Sequence, residues 1–411
     1  MSIAQRAFLL VSIFLAPVSC ASADVITDWN EKVSAFVTAR QVPPQLAERV
    51  MAMVHVAMFD AVNSIDRRYQ PYVAQLPASP ATSKEAAAGA AAVTVLAELY
   101  PEGEVELRQV IASYLGSIGD SEAKSAGIKL GEAVAAKILR ARAKDPTAAT
   151  DAYRPKTRPG IYVATSPMVG SMWPNVTPFA MKAPAQFRPE PPVSLKSDQW
   201  AADYDEIKSL GGKTSPSRSA QQTENARFWL AAGPIIYYPV VRQLAAAKTS
   251  NVVDSARFVA LVAVARADAF IAIFDAKYHY DFWRPVTAIR NGDIDANPAT
   301  ELDAAWQPIA DTPMHPEYPC AHCVLSATIS SVVESLFGTA DVPEITLTSP
   351  TAPGVTHRWT NMRAFADEVA QARIWAGFHY RFSTRVGQEM GGKIGEYVVK
   401  NTMRPASVAT R

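Results

Sequence analysis

Strand-like stretches are scarce in this sequence: alternating Val/Ile/Thr patterns are nearly absent along its 411 residues, which argues against a sandwich or barrel. Long apolar runs are missing too. After the N-terminal segment no stretch offers eighteen uncharged apolar residues, and the best candidate, 258–274, is interrupted by Arg266 and Asp268; it reads as a buried core helix, not a membrane span. Charge of one sign is also lacking. Forty basic residues face 39 acidic ones, for a net charge of +1, and no block of like charge is long, so nucleic acid or an anionic membrane has little to hold. A small anion needs only local charge. With three cysteines and six histidines, the chain has too few for a disulfide scaffold or a Cys-rich metal site.

What is present begins with Arg6, an apolar run over 7–18 broken only by Ser12, and Ser19-Cys20-Ala21-Ser22-Ala23. A charged start, a short apolar core and an A-x-A signal predict a signal peptide over 1–23, with a mature start near Asp24 and export to the periplasm or the extracellular space. Cys20 would instead mark a lipoprotein, but Pro17 stands where a lipobox usually has Leu. The run is too short to anchor the chain across a bilayer, so the mature protein is expected to be soluble. Only Cys320 and Cys323 then remain, either as a small disulfide or as two buried thiols.

Apolar residues at helical spacing recur over 24–39, 44–65, 83–99 and 121–143, and again over 198–210, 220–232, 252–276, 320–337, 364–375 and 384–400. The fold class predicted is all-α, bundle-like, with an N-terminal helical half (24–144) and a C-terminal half (196–405). Its length suits one large domain or two closely packed halves. Between them, 145–195 holds ten prolines together with Trp173, Phe179 and Phe187. Proline blocks helix, so this segment is a long loop, either a linker or, given its aromatics, the rim of a substrate channel.

Three stretches in the C-terminal half collect histidines and cations. The first runs Lys277-Tyr278-His279-Tyr280-Asp281-Phe282-Trp283-Arg284-Pro285. Seven residues are about two helical turns, so Lys277 and Arg284 can face one side of a helix that Pro285 ends, a pair suited to an oxyanion or, more plainly, a solvated basic edge. The second is His315-Pro316-Glu317-Tyr318-Pro319-Cys320-Ala321-His322-Cys323. Here Pro319 suits the first turn of a helix whose free amides at Cys320, Ala321 and His322 make an anion site, with His322 beside it as an acid or base or as a merely structural histidine. The third holds Arg373 and His379. Six residues on an ideal helix set side chains about 240° apart, so the two meet only if the helix breaks near Gly377 or the arginine wraps around.

Taken in order, Lys-x6-Arg-Pro, Pro-x-x-His and Arg-x5-His resemble the three-part signature of the vanadium haloperoxidase and type 2 phosphatidic acid phosphatase superfamily. The texture around Phe282-Trp283-Arg284-Pro285 and His379-Tyr380-Arg381-Phe382 is closer to the soluble haloperoxidase branch. The resemblance implies that Lys277, Arg284 and Arg373, with Cys320 and Ala321, bind the oxygens of vanadate or phosphate. It implies that His379 ligates vanadium or attacks phosphorus, that His322 is the general acid/base, and that His315 and Trp283 belong to the halide or substrate pocket. A histidine at the position of His315 is often found in bromide-oxidising members, which favours bromide. Two departures stand out. Pro-Ser-Gly-His is usual where this chain has Pro319-Cys320-Ala321-His322, and a thiol is a poor donor to an oxyanion. Ser383 stands where a carboxylate often follows the histidine by four residues, leaving the partner of His379 open, and Ala372 replaces a usual serine.

The leading expectation is a vanadate-dependent haloperoxidase using hydrogen peroxide and halide. The alternatives are an exported phosphatase, needing no cofactor, that forms a phosphohistidine from a phosphate ester, and an inactive oxyanion-binding protein. An oligomer is compatible with the sequence. His55, His279 and His357 lack zinc-ligand spacing.

Overall fold

The computed structural model describes residues 24–150, 152–164 and 168–406; the expected signal peptide lies outside the described residues. Thirteen α-helices are described. The first half holds α1 (Val25–Ala39), α2 (Pro44–Asp66), α3 (Lys84–Leu99), α4 (Glu104–Gly116) and α5 (Glu122–Arg142). The second holds α6 (Asp198–Gly211), α7 (Ala220–Phe228), α8 (Pro234–Lys248), α9 (Val252–Tyr280), α10 (Pro285–Arg290), α11 (Ala321–Phe337), α12 (Met362–Trp375) and α13 (Arg381–Asn401). The all-α expectation holds, apart from an antiparallel hairpin of β1 (Asp341–Ser349) and β2 (Ala352–Asn361).

Local chemistry sets the helix starts. Asp24, Ser83, Ser121, Ser197, Ser219 and Asn251 each accept a first-turn amide with their side chain, which satisfies donors that have no partner within the helix. Three helices were not foreseen: α4, α8 and the six-residue α10, whose opening Pro285 reads as a helix end. In α4 only Leu107 is buried, too thin a stripe to read as periodic, and α8 opens Pro-Ile-Ile-Tyr-Tyr with Pro239 inside it. Pro239 removes a bond to the Ile235 carbonyl, and Ile235 is exposed enough for water to replace it. The hairpin also escaped notice, because its alternation of Ile345 and Leu347 with polar neighbours is brief.

One hydrophobic core runs through both halves, with α9 at its centre and α2 against it. At their contact Arg266 of α9 donates to Glu48 of α2 at 2.5 and 3.0 Å with both side chains fully buried, and Tyr238 Oη adds a third bond at 3.1 Å. The later part of the proline-rich segment is bound to α9: Asp268 accepts the amides of Phe179, Ala180 and Met181 at 2.5–2.8 Å, and Arg188 pairs bidentately with Asp275. Helices α11 and α13 pack closely because α13 carries small residues at the seam; a Cβ on Gly391 would lie 2.2 Å from the Val324 carbonyl oxygen. That approach sets the start of α11 beside the start of α13.

Candidate oxyanion site

Lys277 lies in the last turn of α9, fully buried, and its ammonium donates to the carbonyls of Pro316 (2.8 Å) and Glu317 (2.7 Å). The helix does not continue to Arg284 as the spacing suggested. Asp281 takes a left-handed conformation (φ 58°) and ends α9 at Tyr280, Arg284 becomes the N-cap residue of α10, and Pro285 opens that helix instead of closing one. The two cations still meet, because the Asp281 carboxylate is held by Tyr153 Oη (2.7 Å) and Lys156 Nζ (3.0 Å) and turns the chain back. Arg284 reaches across, donating from Nε to the His315 carbonyl at 2.9 Å and from Nη1 to the Phe378 carbonyl at 3.1 Å.

The second stretch also differs in detail. The first residue of α11 is Ala321 and its N-cap is Cys320, so Pro319 precedes the helix and is not in its first turn. Cys320 and Cys323 are bonded to each other, and Cys320 Sγ accepts the Cys323 amide at 3.3 Å. There is no thiol to donate to an anion, and the Cys320 amide faces the Ser383 carbonyl at 3.4 Å. Cys320 is therefore a capping residue, and the amides of Ala321 and His322, which have no acceptor within the helix, are the ones available to an anion. His322 Nε2 donates to the Ala231 carbonyl at 3.2 Å, which leaves Nδ1 as the basic nitrogen.

Between Arg373 and His379 the helix does break. α12 stops at Trp375 and Gly377 adopts φ 79°, where a Cβ would lie 2.5 Å from the Gly211 carbonyl oxygen. The turn lets Arg373 and His379 face one side. Arg373 donates from Nη1 to the Trp229 carbonyl at 2.6 Å, and its guanidinium lies 4.8 Å from the Phe378 ring centroid. His379 Nδ1 is 2.7 Å from Glu317 Oε1, which also accepts the Tyr380 amide at 3.2 Å. Glu317 is the partner that the sequence left open. It lies in the second stretch, 62 residues from His379, so no spacing rule marks it; a lone carboxylate between His315 and His322 was the local sign. Ser383 is one of the groups that pull the Glu317 carboxyl down.

These contacts assign protons. A guanidinium can only donate, so Arg284 Nη1, 3.3 Å from His379 Nε2, meets a lone pair there, and the ring proton sits on Nδ1 toward Glu317. His315 Nδ1 lies between a donor, Arg284 Nη2 at 3.0 Å, and an acceptor, the Pro316 carbonyl oxygen at 3.1 Å, so its two contacts call for opposite tautomers. Burial pushes Lys277 well below its usual range, Arg284 to about 10 and Arg373 to about 9, and repulsion from Arg284 adds to the effect on Lys277 and Arg373. Burial and then the neighbouring cations hold His315, His322 and His379 well below the usual histidine range, so all three are neutral at pH 7. Burial lifts Glu317 against the pull of Lys277 and Arg284.

The balance is three buried cations facing one buried carboxylate, with Arg373 Nε lacking a partner among the described residues. Buried cations without counter-charge are costly, and a bound oxyanion supplies both the charge and the acceptors. The donor set fits a small tetrahedral anion such as vanadate or phosphate. Among the described residues no cluster of three or more His, Cys, Asp or Glu side chains forms a cage for a bare cation.

His315, His322, Arg373 and His379 open into a chamber of about 480 Å³. Trp283, expected in the pocket, does not line it; Trp283 is buried behind the site and stacks on Trp200 with centroids 5.9 Å apart. Among the described residues of the proline-rich segment Val169 alone lines the chamber, while Phe179, Ala180, Met181 and Arg188 are bound to α9.

Two families of known proteins match this chain. Residues 23–166 match the family described as the vanadium chloroperoxidase N-terminal domain, and residues 257–407 the family described as the VCPO second helical-bundle domain. A vanadium chloroperoxidase from Curvularia inaequalis is 25% identical over 407 residues, covering 77% of this chain; the match spans 66% of that relative's length. Among solved structures, a bacterial vanadium-dependent iodoperoxidase superposes with a TM-score of 0.80 at 25% identity, covering 93% of this chain and 97% of that one. The apo and holo forms of a bacterial vanadium-dependent chloroperoxidase superpose with TM-scores of 0.69 at 17% identity, a likeness of fold, over 86% and 87% of this chain and 92% and 91% of theirs. No described helix is long and apolar enough to cross a membrane.

Proposed function

We propose, from the premise that this chain belongs to the vanadium haloperoxidase superfamily, that its buried site holds vanadate and oxidises halide with hydrogen peroxide. The observation that carries the reading is the surplus of buried positive charge around the lone pair of a neutral His379. Lys277, Arg284 and Arg373, with the amides of Ala321 and His322, hold the oxygens, and His379 Nε2 is the ligand. Vanadate, when bound there, would supply Lewis-acid activation of peroxide toward halide. Glu317 accepts the Nδ1 proton of His379 and so keeps the Nε2 lone pair directed at the anion. His322, with Nδ1 free, accepts a proton from incoming peroxide and returns it to the departing oxygen. His315 faces the same chamber and is the residue on which a preference for bromide rests. Export is proposed on the strength of residues 1–23 alone, read as a signal peptide.

An orthovanadate titration tests the reading, following bromide and iodide oxidation by peroxide alongside hydrolysis of a generic phosphate ester. Halide oxidation that rises with vanadate and disappears in His379→Ala is the expected result. Ester hydrolysis inhibited by vanadate would replace it with a phosphohistidine phosphatase. Vanadate binding without either turnover would make the chain an oxyanion-binding protein.

A further inference from the structure

The walls of the chamber are out of proportion to ions and peroxide. Its 480 Å³ is room for about sixteen water molecules at the volume of water in the liquid, whereas halide and peroxide each need little more than one or two such places. Phe270, Phe274, Leu325 and Phe378 form much of the surface, and Met314 sits at the mouth with 39% of its surface exposed. A path for ions alone gains nothing from apolar walls, which solvate halide poorly. Such walls favour an apolar guest.

A second observation points the same way. Tyr237, from the first turns of α8, lines the chamber, is fully buried, and its hydroxyl has no hydrogen-bond partner among the described residues. Buried hydroxyls are nearly always paired, because leaving one unpaired costs the hydration it gave up. Its ring is fixed between the Arg266 guanidinium, 4.3 Å from the ring centroid, and His322, whose ring centroid is 6.4 Å away. The phenol stays protonated at neutral pH, burial having pushed it up to about 12, and is therefore a donor awaiting an oxygen.

We infer that the chamber binds the organic molecule that receives the halogen, an uncharged aromatic carrying a hydroxyl or carbonyl oxygen that accepts the Tyr237 hydroxyl proton. The guest lies against the face where His315, His322 and His379 meet, so an oxidised halogen reaches it before bulk water. The chemistry rests on the halide-oxidation reading; the binding does not. Hypohalous acid, formed from halide and peroxide, gives its halogen to a ring carbon: the carbon–halogen bond forms, the oxygen–halogen bond breaks, and the displaced ring proton joins the hydroxide as water.

The test is a calorimetric titration of the purified chain with 2-naphthol and with naphthalene, in the wild type, Tyr237→Phe and Met314→Trp. Saturable 2-naphthol binding at one site, at least tenfold tighter than naphthalene, is expected in the wild type. Tyr237→Phe should bring the two probes within twofold of each other, an effect that a general loosening of the fold would not produce. Met314→Trp narrows the mouth at an exposed position, where the fold tolerates a larger side chain, and should weaken both probes at least tenfold. No saturable binding, or no discrimination between the probes in the wild type, would overturn the inference. Triiodide formation from iodide and peroxide, which needs no organic acceptor, is measured in parallel; its absence from the wild type would remove the peroxidase reading, while the naphthol titration still decides whether the chamber is a binding site.

Discussion

At the scale of single residues the site is organised by one carboxylate. Glu317 is fully buried, bonds His379 Nδ1 at 2.7 Å and the Tyr380 amide at 3.2 Å, and its charge acts on both Lys277 and Arg284. Groups behind a metal ligand, when removed, typically lower metal affinity or activity by about 10- to 100-fold. Glu317→Gln preserves size and an acceptor oxygen but removes the charge. We expect vanadate affinity, read by calorimetry, to fall at least tenfold while the far-ultraviolet circular dichroism is unchanged; unaltered affinity would mean that packing alone orients His379. Ser383 carries no charge of its own and is one of several groups pulling on Glu317, so Ser383→Ala belongs in the same experiment with a smaller expected loss.

At the scale of elements, the junction between α12 and α13 decides whether Arg373 and His379 meet. The junction depends on Gly377, whose left-handed backbone and contact with the Gly211 carbonyl leave no room for a Cβ. Gly377→Ala adds the conformational cost of a positive φ, about 1–2 kcal/mol, and that of a steric clash, about 1–3 kcal/mol. A loss of about 2–5 kcal/mol in a urea titration is the expected outcome, together with weakened vanadate binding. A variant as stable as the wild type would show that the loop relaxes without strain. The start of α11 illustrates the same dependence. Cys320 caps the helix through its sulfur, leaving the anion to the Ala321 and His322 amides, and the seam with α13 holds that end in place.

At the scale of the molecule, the two helical halves are tied by a buried ion pair. Glu48 of α2 and Arg266 of α9 are both fully buried and bonded to each other, and Tyr238 of α8 donates to the same carboxylate. Removing one member strands a charge, which typically costs about 3–5 kcal/mol, whereas replacing both with apolar groups is often near neutral. Glu48→Leu should therefore lower stability by about that amount, and Glu48→Leu with Arg266→Met should recover much of it in denaturant unfolding. If the double variant is as unstable as the single one, the pair is held by its hydrogen-bond geometry and not merely by charge balance. The shared core also predicts one cooperative unfolding transition for both halves.

The helices from α1 to α3, α5 to α7, α9 and α11 to α13 were legible because capping residues and apolar periodicity act within a few residues of chain. So were the three cationic stretches, since the residue types suited to an oxyanion are written at fixed short spacings. α4, α8, α10 and the hairpin were not, for want of a wide apolar stripe or because proline and β-branched residues obscured it. Lys277 and Arg284 were expected on one helix and stand on two, because the left-handed turn at Asp281 is stabilised by Tyr153 and Lys156 from a distant loop. Local propensity and the choice of site residues were properties of the sequence itself. The partner of His379, the bond between Cys320 and Cys323, the exclusion of Trp283 from the chamber and the unpaired Tyr237 hydroxyl were decided only by tertiary packing, because each depends on which distant segments the core brings within a few ångströms.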